Sequence, residues 1–322
     1  MFVKKIDINQ IEKLDLKSVF NSISWLKIYP KEKLILLGIF NKNEEIIGCF
    51  YYYKHTRAKF LTHLAAPLFS PHCGFYVKDP TSNPANKNTF KKKVFEAIIE
   101  FLDEQKYDLL SLSFPLENID FQEFIWRKFT IEPKYTYCLN LDKTEEEITN
   151  NMSSERRKNI RKAEKDGIIV KRISNEMEEW KSLEKLLEGT FGRQKVKYNK
   201  EILKALLNDF STENNSFAFL ALDKDNNPIA CNFCVYDSEK SYYLFGGYDQ
   251  ELKHEGAGAL AHWSAIKFAK EKGIKVFDFE GSMLKPVEKY FRGFGAEITP
   301  YFVVNKSKFK GKSLMAIKQI LG

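Results

Sequence analysis

The sequence contains few cysteines and no long apolar segment. Its 322 residues include five cysteines, an odd number, scattered without the regular spacing of a disulfide framework. No run of eighteen apolar residues occurs, which argues against a membrane-spanning helix. The first fifteen residues have no apolar core, so we do not expect them to act as a signal peptide. These absences predict a cytoplasmic protein with reduced cysteines.

Several common catalytic patterns are also missing or incomplete. Neither a P-loop nor the G-x-S-x-G turn of the α/β-hydrolases occurs. Cys231 and Cys234 lie three residues apart in a predicted strand, which places them on opposite faces and argues against a metal pair. The string Gly256-x-Gly258-x-x-Ala261 fits a dinucleotide-binding pattern, but the preceding strand ends near Gly247, too early for a tight strand-to-helix turn. The sequence therefore indicates no metal and no resident cofactor.

The composition instead indicates well-packed sheets. Hydrophobic residues make up 43% of the chain and aromatic residues 14%, including 27 Phe and 15 Tyr. Aromatic side chains favour strands and fill the faces of sheets. The length exceeds that of one average domain, so two domains are expected.

Positive charge is concentrated in two segments. The formal net charge is +8. Residues 153–172 carry eight Lys or Arg against three acids, and residues 303–322 carry five Lys and no acid. Such concentration suggests a polyanionic ligand, such as a nucleotide, a pyrophosphate, tRNA or an anionic lipid surface. A solvated helix face and a frayed tail are the alternative explanation.

The predicted elements of the second half follow a distinctive order. A strand and two helices precede a three-stranded meander, which a helix, a strand, a short helix and a last strand follow. The first half shows a shorter version of this order. We therefore predict an α+β protein with domains at 1–132 and 133–322. The predicted segments of the second half are Tyr135–Leu141, Ser154–Gly167, Ile168–Ile173, Glu176–Gly189, Lys200–Phe210, Ser216–Leu222, Pro228–Tyr236, Ser241–Gly247, Ala257–Lys272, Lys275–Glu280, Pro286–Phe291 and Ile298–Val304.

Four segments of the second half resemble the FemABX peptidyltransferases and their GNAT-like relatives. They appear in the order that the family shows and span about residues 150–300. The segments are the Arg-rich helix Ser154–Gly167, Thr190–Gln194 followed by Tyr198, the strand Phe277–Gly281, and Tyr290–Glu297.

The resemblance implies tandem GNAT-like domains, with mixed sheets flanked by helices and the catalytic site on the second domain. It implies an enzyme that forms an amide bond by moving an acyl or aminoacyl group onto an acceptor amine. The donor would be aminoacyl-tRNA, as in peptide bridges of the cell wall, or alternatively acyl-CoA. The acceptor would be a small or lipid-linked amine, which is compatible with a peripheral membrane contact. A non-catalytic module that binds an anionic precursor is the alternative from another class.

Cationic side chains are the first group of candidate site residues. Arg157 and Arg161 lie one helical turn apart, so they are predicted to form a fork of two guanidiniums suited to a phosphate. Arg193 falls in a break between two predicted helices, and the resemblance implies that it holds a phosphate of the acceptor, with Tyr198 nearby. The alternative is that Arg193 is a helix-terminal arginine that contacts a backbone carbonyl.

The donor and proton-transfer residues are expected on the meander, its following helix and the next strand. Glu255, Gly256 and Gly258 precede a helix, whose first N–H groups could bind a pyrophosphate. The two-residue period of a strand places Asp278 and Glu280 on one face. A carboxylate there would accept the proton of the attacking amine, and burial would raise its pKa toward a useful range.

The last candidates are Phe291 and Arg292. They match a Phe-Lys pair of the family, in which the cation is implied to stabilise charge on the donor or the oxyanion. Arginine departs from the family pattern at this position. This departure weakens the step from the family to aminoacyl-tRNA as the donor.

Overall fold

The computed structural model describes residues 1–194, 198–281 and 283–308. The chain divides into two compact units, one formed by Met1–Lys134 with the segment from Pro300, and the other by Tyr135–Thr299. The boundary expected at residue 132 lies near the first of these divisions. The segment from Pro300 was expected in the second domain but groups with the first unit. Of the basic tail, residues 309–322 lie outside the described residues.

The first unit contains a sheet with a long helix and two short ones. The sheet order is β1-β2-β3-β4-β6-β13, and β5 pairs with β3. Neighbouring strands are antiparallel except β4 and β6. Short 3-10 helices occupy Ile8–Lys13 and Val19–Asn21. The other elements are β1 (Phe2–Lys5), α1 (Ile23–Lys27), β2 (Leu34–Phe40), β3 (Ile46–Arg57), β4 (Leu61–Ala65), β5 (Tyr76–Val77), α2 (Pro84–Glu104), β6 (Leu109–Ser113), α3 (Gln122–Trp126) and β13 (Glu297–Ser307).

Local sequence explains where α2 begins and which face it buries. The Asn83 side chain accepts a hydrogen bond from the Asn86 backbone, and Pro84 occupies the first turn, where its missing N–H is not needed. Val94, Ile98 and Leu102 recur at helical spacing and are fully buried. The helix thereby covers the aromatic core of the first unit.

The second unit has the predicted order of elements. Its sheet runs β7-β12-β11-β10-β9-β8, and only β11 and β12 are parallel among these pairs. The elements are β7 (Thr130–Asn140), α4 (Glu145–Asn151), α5 (Ser154–Lys165), β8 (Ile169–Ile173), α6 (Trp180–Arg193), α7 (Lys200–Lys204), a π-helical turn (Ala205–Phe210), β9 (Ser216–Leu222), β10 (Pro228–Tyr236), β11 (Lys240–Tyr248), α8 (Ala257–Glu271), β12 (Val276–Asp278) and α9 (Lys285–Arg292).

Helices cover both faces of this second sheet. On one face α6 approaches so closely that a Cβ at Gly247 would lie 2.6 Å from the Leu186 carbonyl oxygen. On the other face, α8 packs on aromatic residues of the strands, including Phe277 and Phe279, which are fully buried. Cys231 faces α6 and Cys234 packs in the α8 core, so the two thiols lie on opposite faces as predicted.

Candidate functional site

Strands β11 and β12 pair over only part of their length. Lys240–Tyr242 pair in parallel with Val276–Asp278, and β11 then continues to Tyr248. The register between β10 and β11 shifts at Leu244, which is an extra residue on β11. Such a bulge bends a strand and changes the direction of its groups. The part of β11 beyond Tyr242 therefore lies outside its ladder with β12, at the end of β12 that carries the acidic residues.

Two carboxyl groups lie together at this end of β12. Asp278 is 4% exposed and accepts hydrogen bonds from the Thr136 hydroxyl (2.5 Å) and from the Glu280 backbone N–H (2.9 Å). Thr136 lies on β7, which pairs with β12. Phe277 and Phe279, on either side of Asp278, are buried in the core of the second unit. The placement of Asp278 and Glu280 on one face stays a prediction, because β12 ends at Asp278.

The surroundings favour the protonated form of both carboxyls. Burial raises the pKa of Asp278, although the hydrogen bonds from Thr136 and the Glu280 backbone oppose the shift. Burial, and secondarily the neighbouring Asp278, raise the pKa of Glu280 well above its ordinary value. Glu280 is thus the described residue with the environment that a general base needs.

The backbone at this position is strained. Glu280 has φ = 61°, a left-handed conformation that is unfavourable for a residue with a Cβ. Gly281 follows with φ = 66°, and a Cβ there would lie 2.4 Å from the Tyr135 carbonyl oxygen. Strain of this kind costs about 1–3 kcal/mol and is concentrated at functional sites. The hydrogen bond from the Glu280 backbone N–H to Asp278 helps to maintain this conformation at the end of β12.

The structure does not bring Arg292 to these carboxyls. Its exposed guanidinium pairs with Glu288 at 2.8 Å, and Glu288 also accepts a hydrogen bond from the Tyr137 hydroxyl (2.5 Å). Tyr137 packs in the α8 core, whereas its neighbour Thr136 contacts Asp278 from the other face. Phe291 is 5% exposed and packs in the same core. The roles of Arg292 and Phe291 in catalysis stay predictions.

The start of α8 is packed beneath α5. A Cβ at Gly256 would lie 2.0 Å from the Asn159 carbonyl oxygen, and the Asn159 side chain donates to the Glu255 carbonyl (2.9 Å). The absence of a side chain at Gly256 therefore allows two helices to approach. Gly258 is less crowded, since a Cβ added there would lie 3.6 Å from the Tyr290 hydroxyl oxygen, an ordinary contact distance. Of the three predicted donor residues, Glu255 and Gly256 have observed structural contacts that do not need a donor.

The predicted fork of two guanidiniums on α5 is not formed. The Arg157 guanidinium turns back to α4 and donates to the carbonyls of Met152 and Asn150, the latter at 3.0 Å. These are carbonyls that the end of a helix leaves without partners, which explains the contact. Arg161 is exposed. It has no ion pair within the described residues, as also holds for Lys158 and Lys165 nearby.

Arg156 is a buried residue that the sequence reasoning missed. It is 5% exposed, its guanidinium stacks 4.0 Å above the Tyr290 ring, and it donates to the Tyr290 carbonyl (3.2 Å). This contact ties α5 to α9. The helical spacing of Arg156 with Ile160 and Ala163, which are buried on the same face, was the signal that could have revealed it.

Arg193 contacts the end of β11, and Tyr198 packs against α6. Arg193 donates to the Tyr248 carbonyl (2.7 Å) and to the Thr190 hydroxyl (2.9 Å). The first contact corresponds to the alternative explanation, in which this arginine at the end of a helix contacts a backbone carbonyl. The Tyr198 ring packs 4.8 Å from that of Phe191 on α6. Binding of an acceptor phosphate by Arg193 stays a prediction.

His262 on α8 is a second buried polar residue that the sequence reasoning missed. Its Nδ1 lies 3.0 Å from the Gly258 carbonyl oxygen and 3.2 Å from the Tyr290 hydroxyl. Burial lowers the pKa of His262 to about 4, so its ring is neutral at physiological pH. Its ring lies 4.3 Å from that of Tyr243, just beyond the β11–β12 ladder. No periodic signal distinguished this histidine from the apolar residues around it.

Across residues 1–194, 198–281 and 283–308, no group of three or more His, Cys, Asp or Glu is arranged to hold a metal ion. In the same ranges, no helix combines the length and apolar character needed to cross a bilayer.

Comparisons with known proteins assign part of this chain. Residues 150–292 match the family model of the acetyltransferase (GNAT) domain. No curated protein matches the sequence. The matched range 150–292 contains Asp278, Glu280 and the whole of α5, α6 and α8.

Solved structures extend the likeness over both units. The crystal structure of FemX has a TM-score of 0.67 and 14% identity, over 98% of this chain and 99% of FemX. The C-terminal domain of a putative lysylphosphatidylglycerol synthetase from Agrobacterium fabrum has a TM-score of 0.61 and 7% identity, over 98% of this chain and 96% of that domain. A tandem GNAT protein from the clavulanic acid biosynthesis pathway has a TM-score of 0.54 and 9% identity, over 94% of this chain and 97% of that protein. The predicted GNAT-like α+β fold is confirmed.

Proposed function

We propose that this chain, whose residues 150–292 match the acetyltransferase (GNAT) domain model, is an acyltransferase that transfers an aminoacyl group from a tRNA to an amine. The observation that carries the proposal is the state of Glu280. Its pKa is raised well above the ordinary value, and its backbone is held in a strained conformation where β12 ends. A carboxyl group with a raised pKa in a strained segment is a candidate for proton transfer.

The proposed reaction needs one proton acceptor and no covalent enzyme intermediate. The acceptor nitrogen attacks the ester carbonyl of the donor, so a C–N bond forms and the C–O bond to the ribose breaks. Glu280 accepts the proton that the nitrogen loses, and the leaving oxygen receives a proton in return. Asp278 positions Glu280 by accepting its backbone N–H. Holding the two reactants together supplies much of the rate.

The surface of α5 supports tRNA as the donor. Lys158, Arg161 and Lys165 are exposed on this helix, and cations in such a row attract a polyphosphate backbone. The same helix covers Gly256 and so restricts access to the first turn of α8. The name lysylphosphatidylglycerol synthetase also denotes an aminoacylated product for that neighbour in fold. Since charged tRNA is cytoplasmic, we place the reaction in the cytoplasm.

Acyl-CoA is the second candidate donor. Its support is the start of α8, where Gly258 leaves space beside the Tyr290 hydroxyl and the helix dipole favours an anion. The matching family model describes acetyltransferases. For either donor, we propose that the acceptor is a small or lipid-linked amine, such as a precursor of the cell wall or of another peptide.

The two donors can be separated by one set of reactions. The protein is mixed with aminoacyl-tRNA or with acetyl-CoA, in each case with a panel of primary amines, and amide products are measured by mass spectrometry. We expect a product from aminoacyl-tRNA that Glu280→Gln abolishes and that the exposed control Glu213→Gln leaves unchanged. A product from acetyl-CoA alone would replace the first donor with the second. Equal rates in both variants would refute the assignment of Glu280.

A further inference from the structure

Three large apolar side chains that lie close together in the sequence of the first unit are exposed. Ile119, Ile125 and Trp126 are 75%, 53% and 59% exposed. They lie within eight residues, on α3 and the segment before it, and we call them the Trp126 patch. Their neighbours Phe121 and Phe124 are buried in the core, so the segment is firmly seated and presents these three side chains outward.

Trp126 differs from the other tryptophans of the chain. Trp25, Trp180 and Trp263 are at most 8% exposed, and all four lie in the described residues. Tryptophan is seldom left in water without a role, because its large ring is apolar while its N–H prefers a polar contact. This combination suits the boundary between water and lipid.

The charges beside the Trp126 patch balance one another. The Lys92 ammonium lies 4.8 Å above the Trp126 ring and pairs with Asp120 at 3.1 Å. Arg127 pairs with Glu96 at 3.4 Å. Because these cations have acidic partners, attraction to a polyanion is not the main force available here. The patch would bind through its apolar side chains.

The size of the patch indicates what it can bind. Three side chains of this exposure present on the order of 300–400 Å² of apolar surface. A stable protein interface needs about 800 Å² from each partner. A bilayer needs no matching surface and accepts a small group of Trp and Ile side chains at its interface. We propose that the Trp126 patch docks the first unit onto a lipid membrane.

The test uses the fluorescence of Trp126 in the full chain, since this is its one exposed tryptophan. Emission is recorded with vesicles of phosphatidylcholine alone and of phosphatidylcholine mixed equally with phosphatidylglycerol. The neutral vesicles separate the patch from the cations of α5, which would bind only the anionic mixture. We expect a blue shift with both vesicles, little changed by salt, and co-sedimentation of the protein.

Variants identify the residues that bind. Trp126→Gln and Ile125→Gln are each expected to weaken co-sedimentation with neutral vesicles about tenfold. Phe60→Gln, at a turn with 67% exposure, is the matched control and should bind like the wild type. Unchanged thermal unfolding would show that the variants fold.

Three outcomes would overturn the proposal. One is an absence of binding to either vesicle, and another is binding that both patch variants retain. The third is a concentration-dependent dimer, seen by sedimentation and lost in Trp126→Gln, which would make the patch a contact between copies of this chain. None of these outcomes bears on the transfer reaction, which is measured with soluble amines.

Discussion

Replacing Glu280 with Gln keeps the size of the side chain and removes its ability to accept a proton. The amide cannot titrate, whereas the wild-type carboxyl has a pKa raised well above its ordinary value. The Glu280 backbone N–H still reaches Asp278, because that hydrogen bond does not involve the replaced side chain. The substitution therefore isolates proton transfer from the positioning of the strand.

The expected loss of rate follows from the usual contribution of a general base. Removing such a group lowers the rate about 10²–10⁴-fold. At about 1.4 kcal/mol for each factor of ten, this is a rise of about 3–5 kcal/mol in the activation barrier. The effect should appear mainly in kcat, since neither substrate is proposed to be held by the carboxyl.

The pH dependence gives a sharper test, because its sign is fixed. A base acts when deprotonated, so wild-type activity should fall as the pH drops through the raised pKa of Glu280, and Glu280→Gln should lack this limb. Stability should change in the opposite sense. A carboxyl with a raised folded-state pKa favours folding at low pH, and this contribution is lost as the pH rises past its unfolded and then its folded pKa. Glu280→Gln should therefore be no less stable than the wild type at neutral pH.

The assay combines initial rates across pH with urea unfolding of both proteins. Asp278→Asn is the companion variant, expected to lower activity less and to lower the pKa seen in the wild-type profile, since Asp278 raises that of Glu280. The reasoning is refuted if Glu280→Gln keeps wild-type kcat, or if its pH profile keeps the same acidic limb.

Three further predictions concern the helices around the site. Gly256→Ala should destabilise the protein by about 1–3 kcal/mol in urea unfolding, because the added Cβ would lie 2.0 Å from the Asn159 carbonyl oxygen. Gly258→Ala is the control and should be neutral or stabilising. Equal effects of the two substitutions on the free energy of unfolding would contradict this packing. Arg157→Ala should cost about 1–2 kcal/mol by leaving carbonyls at the end of α4 without a donor, and an unchanged unfolding midpoint would disprove that role. Arg161→Ala should reduce the slope of log affinity for tRNA against log salt concentration by about 0.7–0.9, while Arg157→Ala should leave that slope unchanged. An unchanged slope in Arg161→Ala would show that α5 is not the surface that binds tRNA.

Much of the second unit was predictable because its signals are local. The Thr144–Glu147 capping box and the Ser153 cap form as their spacing predicts. Gly167 and Gly273 both adopt left-handed conformations after helices, with φ of 79° and 78°. The sequence also placed Asp278 near Glu280, and Asp278 contributes to the raised pKa of Glu280. Each of these features depends on residues only a few positions apart.

Features that depend on contacts between distant segments were missed. Arg157 appeared to be a free cation because the sequence did not show that the end of α4 lies beside it. Thr136 was not a candidate, since its partner Asp278 is 142 residues away.

The central claim is that this chain joins an aminoacyl group to an amine. Its most direct test follows a radiolabelled amino acid from tRNA to a primary amine in a single turnover. We predict that the wild-type protein converts the label to an amide-linked product and that Glu280→Gln leaves it on the tRNA. Label that stays on the tRNA with the wild type, together with transfer from acetyl-CoA to the same amine, would contradict the claim.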